Sequence, residues 1–297
     1  MRKSWLITGC SSGIGRALSE TVLAAGHALV ATARDPDLLA DFPARYGDAV
    51  RVAALDVTDP DAAQAAVAAA RDSVGGLDVL VNNAGYGNVN SIEDTSLDEF
   101  RRQIETNLFG TIILCKAAIP VMRAQRSGHI IQFSSVGGRI GAPGRAPYSA
   151  AKWGVEGFSE VLAAEMALIG VKVTVIEPGG FRTNFADDST TLDEGRPEYD
   201  AVVGAAARMQ RAFDGHQPGD PLRAAQVILQ VPAMDVPPFR LPLGRDVSEA
   251  LETADRARLD EVLRWRELSN STNFPQTGEV GAFRGQVNPS DDTLPSR

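Results

Sequence analysis

The sequence predicts one doubly wound α/β domain with a mainly parallel, seven-stranded sheet, and three observations carry that prediction. Short β-branched runs alternate with longer runs rich in alanine and leucine. The short runs are apolar throughout and lack a polar alternation, as expected of strands covered on both faces. Helix caps and glycine stops fall between the two kinds of run.

Taken in order, Trp5–Thr8 ("WLIT") reads as a buried strand, and Gly15–Gly26 as a helix that ends at glycine. His27–Ala33 and Val50–Val57 read as the second and third strands. A helix follows from "DPDAAQAAVAAARDSVG", with Asp59 as cap and Pro60 in the first helical position. "LDVLVNNAG" runs from strand into loop. Ser96 and Glu99 fit a capping box that opens a long helix to about Arg126. "HIIQFSS" is the fifth strand, the helix holding "YSAAKWG" comes next, and "VKVTVIEPGG" is the sixth strand. Beyond Gly180 the alternation breaks. Helices are expected near Glu198–Phe213 and Leu222–Gln230, a last strand at Phe239–Gly244, and a helix at about Val247–Leu268. The domain is expected to span 1–269, with substrate-loop helices at about 184–235. The Gly-, Pro-, Asn- and Ser-rich stretch 270–297 reads as a flexible tail.

A chain of 297 residues is long enough to bury a large core. Its formal net charge of −9 argues against nucleic acid or an anionic membrane as the main partner. No stretch approaches eighteen uninterrupted apolar residues, so no membrane span is expected. The N-terminus lacks the long apolar run of a signal peptide. Cys10 and Cys115 show no metal spacing and read as free thiols, which makes the cytoplasm the expected location. His27, His129 and His216 are dispersed, no metal set is visible, and a surface or loop position is expected for each histidine.

The first strand meets the first helix in "ITGCSSGIG". Gly9, Gly13 and Gly15 allow a tight turn and a close backbone approach to a ligand. The helix N-terminus beyond them offers free N–H groups and a positive dipole end, suited to a pyrophosphate. The spacing departs from G-x-G-x-x-G, so the general dinucleotide pattern is only partly met. The tip of the second strand reads Ala33-Arg34-Asp35. An acid there would hold a ribose 2′-hydroxyl, and an arginine a 2′-phosphate. Arg34 has the planar fork for a phosphate, whereas Asp35 before Pro36 reads as a helix cap. NADP(H) is therefore preferred, with NAD(H) left open.

With "TGCSSGIG", "NNAG" at Asn82–Gly85, Asn107, Ser134–Ser135, "YSAAK" and "PGG" in this order over about Ser4–Thr183, the chain resembles the short-chain dehydrogenase/reductase family. A weaker likeness extends to its 17β-hydroxysteroid, retinol and bacterial oxidoreductase subgroup. The resemblance implies a Rossmann-type fold and a catalytic set of Asn107, Ser135, Tyr148 and Lys152. Tyr148 would exchange a proton with a ketone or alcohol oxygen. A free phenol, with a pKa of about 10, is a poor base at neutral pH, and a nearby cation favours the phenolate. Lys152 sits one helical turn on, on the same face, and in the family it also contacts the nicotinamide ribose. Ser135, thirteen residues before Tyr148, would hold the substrate oxygen, with Ser134 its close competitor. Asn107 would support a water linking Lys152 to solvent; read alone it is a solvated or capping residue. Cofactor contacts are implied for Gly9, Ser11, Ser12, Gly13, Ile14, Gly15, Arg34, Asp56, Val57, Asn83, Ala84, Gly85, Tyr148, Lys152, Pro178, Gly179 and Thr183, while Asn82 reads as structural.

The expected activity is hydride transfer between NADP(H) and a carbonyl or secondary alcohol, in the sense of ketone reduction. A catalytically silent NADP(H) sensor or scaffold on the same fold is the rival; its mark would be loss of Tyr148, Lys152 or Ser135, and all three are present. An epimerase or dehydratase of related architecture would have a longer chain and other glycine spacing. The substrate pocket is expected from Val136–Arg145, the loop after Asn83–Gly85, and Phe181 to about Phe213. Phe185, Tyr199, Val202 and Met209 point to a partly apolar ligand. Arg139 and Arg145 could meet an anionic group, with solvent the expected partner. A homodimer or homotetramer is expected, as is usual in the family.

Overall fold

The computed structural model describes residues 2–73, 76–183, 185 and 190–274. The strands of the main sheet are β1 (Ser4–Ile7), β2 (Ala28–Ala33), β3 (Val50–Ala54), β4 (Val79–Asn82), β6 (Gly128–Phe133), β7 (Val171–Pro178) and β9 (Arg240–Leu243). They lie in the order β3-β2-β1-β4-β6-β7-β9, and every pairing is parallel. The chain winds outward from β1 to β3, returns, and winds outward again from β4. This reversal leaves a crevice at the carboxyl ends of β1 and β4, where such sheets bind ligands.

Each strand feeds two layers. Trp5 and Ile7 pack on one face with Leu18 and Val22 of α1 (Gly13–Ala24) and Ile228 of α8 (Pro221–Gln230). Leu6 and Val30 point to the other face, with Val67 of α3 (Pro60–Ser73) and Leu114 of α5 (Gly110–Gln125). Both sides of the pleat are dry, which is why these strands show no polar alternation. The remaining helices are α2 (Asp41–Tyr46), α4 (Leu97–Ile104), α6 (Ala146–Ala167), α7 (Ala205–Phe213), α9 (Arg245–Arg264) and α10 (Arg266–Asn270).

Several elements refine the sequence expectation. The third strand stops at Ala54, because Leu55 begins a loop while its N–H still bonds Ala33. Asp59 caps α3 through the N–H groups of Asp61 and Ala62, and Asp35 caps a short 3-10 turn, as its neighbour Pro36 foretold. Ser96 accepts from the N–H of Glu99. The long helix from Leu97 to Gln125 is interrupted by one π-turn, Glu105–Phe109. That run has span-like length and contains an eighteen-residue window with a mean hydropathy of 1.4, yet its buried Gln103 and Asn107 make hydrogen bonds to Asn88 and the Tyr86 backbone. A second sheet of β5 (Gly87–Val89) and β8 (Thr190–Leu192) has no periodic signal, since three residues are too few to show one. The expected tail, 270–297, falls almost wholly outside the described residues; Asn270 itself closes α10. His129 corrects the surface reading: it lies buried in β6, its Nε2 is 2.9 Å from Thr174 Oγ1, and burial pushes its pKa down to about 4.

Candidate active site

The carboxyl edge of the sheet opens into a cavity of about 1170 Å³. Gly9, Ser11–Gly15, Arg34, Asp56, Val57, Asn83–Gly85, Ser135, Tyr148, Lys152, Pro178, Gly179 and Thr183 all line it. Every predicted site residue except Asn107 is therefore brought to one surface.

The glycine loop is shaped for a ligand's phosphate. Ser12 is extended and caps α1 without a side-chain hydrogen bond, so the first-turn N–H groups have no protein side chain to satisfy them. Gly13 has φ +58°, a left-handed conformation that a side chain disfavours. A Cβ on Gly15 would stand 2.2 Å from the carbonyl oxygen of Gly9 and 2.4 Å from Asn83 Nδ2. The loop is held from below. Thr8 Oγ1 accepts from the N–H groups of Asn83 and Ala84, both at 3.0 Å, and Asn83 Nδ2 donates to the carbonyls of Thr8 and Gly9 at 2.9 and 3.1 Å. These bonds stitch the β1 loop to the β4 loop across the crevice. Thr8 was read only as the end of a strand, because its role depends on the neighbouring strand and leaves no local mark.

Around the rim, Arg34 is exposed at the tip of β2 and lines the cavity, whereas Asp35 is spent on its cap. Asp56 accepts from the N–H and hydroxyl of Thr58, at 2.9 and 2.7 Å, and these bonds hold its carboxyl below the usual range. Asn82 lies beneath the surface, donating to Gln132 Oε1 at 2.9 Å, in keeping with a structural reading.

Tyr148 and Lys152 stand one turn apart on α6 and are both buried. Lys152 Nζ donates to the carbonyl of Phe133 at 2.8 Å and lies 5.8 Å from the centre of the Tyr148 ring. Burial lowers the lysine pKa to about 8, with Glu156 opposing. The phenol departs from expectation. Its pKa is raised, because burial outweighs the hydrogen bond from Ser135 and the charge of Arg145; the Lys152 ammonium, turned toward Phe133, does not contribute. Ser135 follows β6, accepts from the N–H of Gly137 at 3.0 Å, and is the serine bonded to the phenol. Its rival Ser134 is buried, and its hydroxyl has no partner among the described residues.

Asn107 is fully buried and neither solvated nor a helix cap. Its Oδ1 accepts from the N–H of Tyr86 at 3.0 Å and its Nδ2 donates to the Tyr86 carbonyl at 2.8 Å. It sits in the π-turn, where the helical ladder is locally opened.

Phe181, Phe185, Met209 and Phe213 also line the cavity, as do Ile140, Pro143 and Arg145, with Arg145 and Phe185 meeting beside Gly87. The Phe185 ring lies 5.9 Å from that of Tyr148. Tyr199 and Val202 do not join them. The Tyr199 hydroxyl donates to Glu93 at 2.8 Å, and Val202 is half exposed on the outer surface. Arg139 does not face solvent; it pairs with fully buried Glu177 at 2.9 Å and with Asp255 at 2.6 Å. Arg240 joins this cluster through Glu156 at 2.9 Å, so α6, β7, β9 and α9 are tied together behind Tyr148 and Lys152.

Among the described residues no group of three or more His, Cys, Asp or Glu side chains is placed to hold a metal ion. Cys10 and Cys115 are buried free thiols whose pKa values burial raises to about 11 and about 12.

Residues 3–193 match the family model described as short chain dehydrogenase. The chain is 43% identical over 270 residues to the oxidoreductase BOA17 of Botryotinia fuckeliana, covering 91% of this chain and 98% of that protein. It is 34% identical over 241 residues to a 3-ketodihydrosphingosine reductase of Bacteroides thetaiotaomicron, covering 80% and 87%. Among solved structures, a short-chain dehydrogenase from Streptomyces avermitilis superposes with a TM-score of 0.86 at 38% identity, over 92% of this chain and all of that one. A Burkholderia phymatum short-chain dehydrogenase/reductase in complex with NAD shares the fold at 24% identity, with a TM-score of 0.76 over 93% and 98% of the chains. So does a Thermococcus sibiricus alcohol dehydrogenase complexed with 5-hydroxy-NADP, at 24% identity and 0.67 over 82% and 96%. With a family match over most of its length and its predicted proton-exchange residues gathered at one crevice, this chain belongs to the short-chain dehydrogenase/reductase family of oxidoreductases.

Proposed function

We propose that the protein is an NADP(H)-dependent carbonyl reductase that returns a secondary alcohol. The observation that carries this reading is the pairing of buried Tyr148 with Ser135 on the wall opposite an apolar pocket, in a cavity whose other end carries Arg34. The bare helix start at Ser12 and the close packing at Gly15 suit a pyrophosphate. The guanidinium of Arg34 suits a 2′-phosphate, and Asp35, the carboxylate at that tip, is held in its cap on the N–H of Asp37.

When bound, the dinucleotide supplies the hydride that reduces the carbonyl carbon. Ser135 donates a hydrogen bond to the carbonyl oxygen and fixes its position. Tyr148 donates its phenolic proton to that oxygen as the C=O double bond becomes C–OH. Burial raises the pKa of the phenol, so the hydrogen bond of Ser135 and the charge of Arg145 are what ease loss of its proton. The Lys152 ammonium, 5.8 Å from the ring centre, would then turn from the Phe133 carbonyl to stabilise the phenolate and return a proton to it.

The test is NADPH oxidation against a panel of ketones with wild type and Tyr148→Phe. The variant is expected to bind NADPH as wild type does and to lose roughly 10²–10⁴-fold in turnover. Retention of most of the rate would refute the assignment of the proton donor.

A further inference from the structure

We propose that Arg145 selects substrates bearing a carboxylate, separated from the reacting carbonyl by a short carbon spacer. This rests on the reading of Tyr148 as proton donor and deepens it by naming the substrate class.

Arg145 directly precedes α6 and lines the cavity. Its guanidinium carbon is 5.9 Å from the centre of the Tyr148 ring. One of its Nη atoms is 3.5 Å from where a Cβ on Gly87 would stand, and that same position is 3.5 Å from Phe185. The group is thus at the substrate end, beside the phenol that meets the carbonyl.

Its electrostatic setting differs from that of its neighbours. Arg139, six residues earlier, is paired with Glu177 and Asp255, and Arg240 with Glu156. Arg145 donates its backbone N–H to the Ala142 carbonyl at 3.2 Å, but among the described residues no carboxylate forms an ion pair with its guanidinium and no oxygen accepts a hydrogen bond from it. Burial lowers its pKa, opposed only by the Tyr148 phenol. Asp56, a cavity-lining acid, is bonded to Thr58 after β3. Among the described residues the side-chain donors of this half-buried cation have no acceptor, and an anion bound beside it would satisfy them.

The charge and shape favour a carboxylate. One guanidinium fork matches two carboxylate oxygens and neutralises one negative charge. A dianionic phosphoryl group would need a second cation at the same place, but Lys152 is engaged with the Phe133 carbonyl, Arg102 with the Tyr86 hydroxyl, and Arg34 stands at the tip of β2. The walls nearby are Phe185, Met209 and Pro143, so the rest of the ligand is apolar. An uncharged ester of the same shape leaves the guanidinium unpaired, which is how a polar site discriminates strongly.

The experiment uses the full chain with a series of aryl 2-, 3- and 4-oxo acids and their methyl esters. Binding to the NADP⁺ complex is read by calorimetry, and turnover by NADPH oxidation. Wild type should prefer at least one acid to its ester by tenfold or more, and Arg145→Gln should reduce that acid:ester ratio by roughly ten- to a hundredfold, the range of a charge-assisted hydrogen bond. Arg145→Lys should retain part of the preference, and Tyr148→Phe should bind the acid but not reduce it. The proposal is overturned if wild type prefers no acid to its ester, or if Arg145→Gln lowers acid and ester equally, which would mean that Arg145 acts only through Tyr148. If wild type binds an acid in an Arg145-dependent way yet never reduces it, the carboxylate site stands and the carbonyl-reduction reading falls.

Discussion

The two walls of the cavity are held by different interactions. The dinucleotide wall, Gly9–Gly15 with Asn83–Gly85, is braced by short hydrogen bonds between backbone, Thr8 and Asn83, over a core that is fully buried. The substrate wall, from Phe181 to Phe213, is joined to the rest by a bridge at Phe181–Gly219, the three-residue β5–β8 pairing, and exposed ion pairs. Those pairs are Arg196 with Asp94 at 2.6 Å and with Glu93 at 3.3 Å, while Arg208 pairs within the wall with Glu194 and Asp200 at 2.6 Å. Exposed pairs of this kind contribute about 0–1 kcal/mol each. One wall tolerates almost no added volume, and the other is adaptable. A fixed cofactor site facing a variable substrate site is the arrangement that follows.

The largest expected effect that would sharpen the contrast is at Gly15. Gly15→Ala places a methyl group against the Gly9 carbonyl, so it should cost ~1–3 kcal/mol of stability, as overpacking does, and weaken dinucleotide binding more than tenfold. Denaturant unfolding and calorimetric titration measure both. A Gly15→Ala protein as stable as wild type would break the comparison from the rigid side. Next comes Arg34→Ala, expected to weaken NADPH by roughly ten- to a hundredfold with little change for NADH. Equal losses for both dinucleotides would remove the 2′-phosphate reading. The smallest effect is at Met209, which lines the cavity while mostly exposed. Met209→Ala should leave stability within about 0.5 kcal/mol of wild type and alter KM values for bulky ketones. A loss of several kcal/mol there would show that the substrate wall is packed like a core.

The dinucleotide wall was legible residue by residue because its signals are local. Glycines at a strand–helix junction, a cap at Asp59, and a tyrosine and lysine one turn apart all act over fewer than about six positions. The substrate wall was legible only as a region. Phe185 and Met209 reach the cavity, but Tyr199 and Val202, equally apolar in sequence, face outward toward Glu93 and solvent. Which side of a short, irregular segment faces inward depends on partners about a hundred residues away. The same applies to Arg139 and Arg145. Both are arginines in one loop, yet one is neutralised by a buried glutamate and the other has no ion-pair partner among the described residues.

By itself, the sequence determined the doubly wound sheet, its glycine crevice and the helical spacing of Tyr148 and Lys152, since hydrophobic period and backbone sterics are properties of neighbouring residues. Only the tertiary structure decided the electrostatics. Burial raises the Tyr148 pKa despite the nearby lysine, the Lys152 ammonium turns to the Phe133 carbonyl, and Arg145 stands beside the phenol with no counter-charge among the described residues. Desolvation and charge pairing depend on what surrounds a group in three dimensions, and a linear spacing carries no record of that.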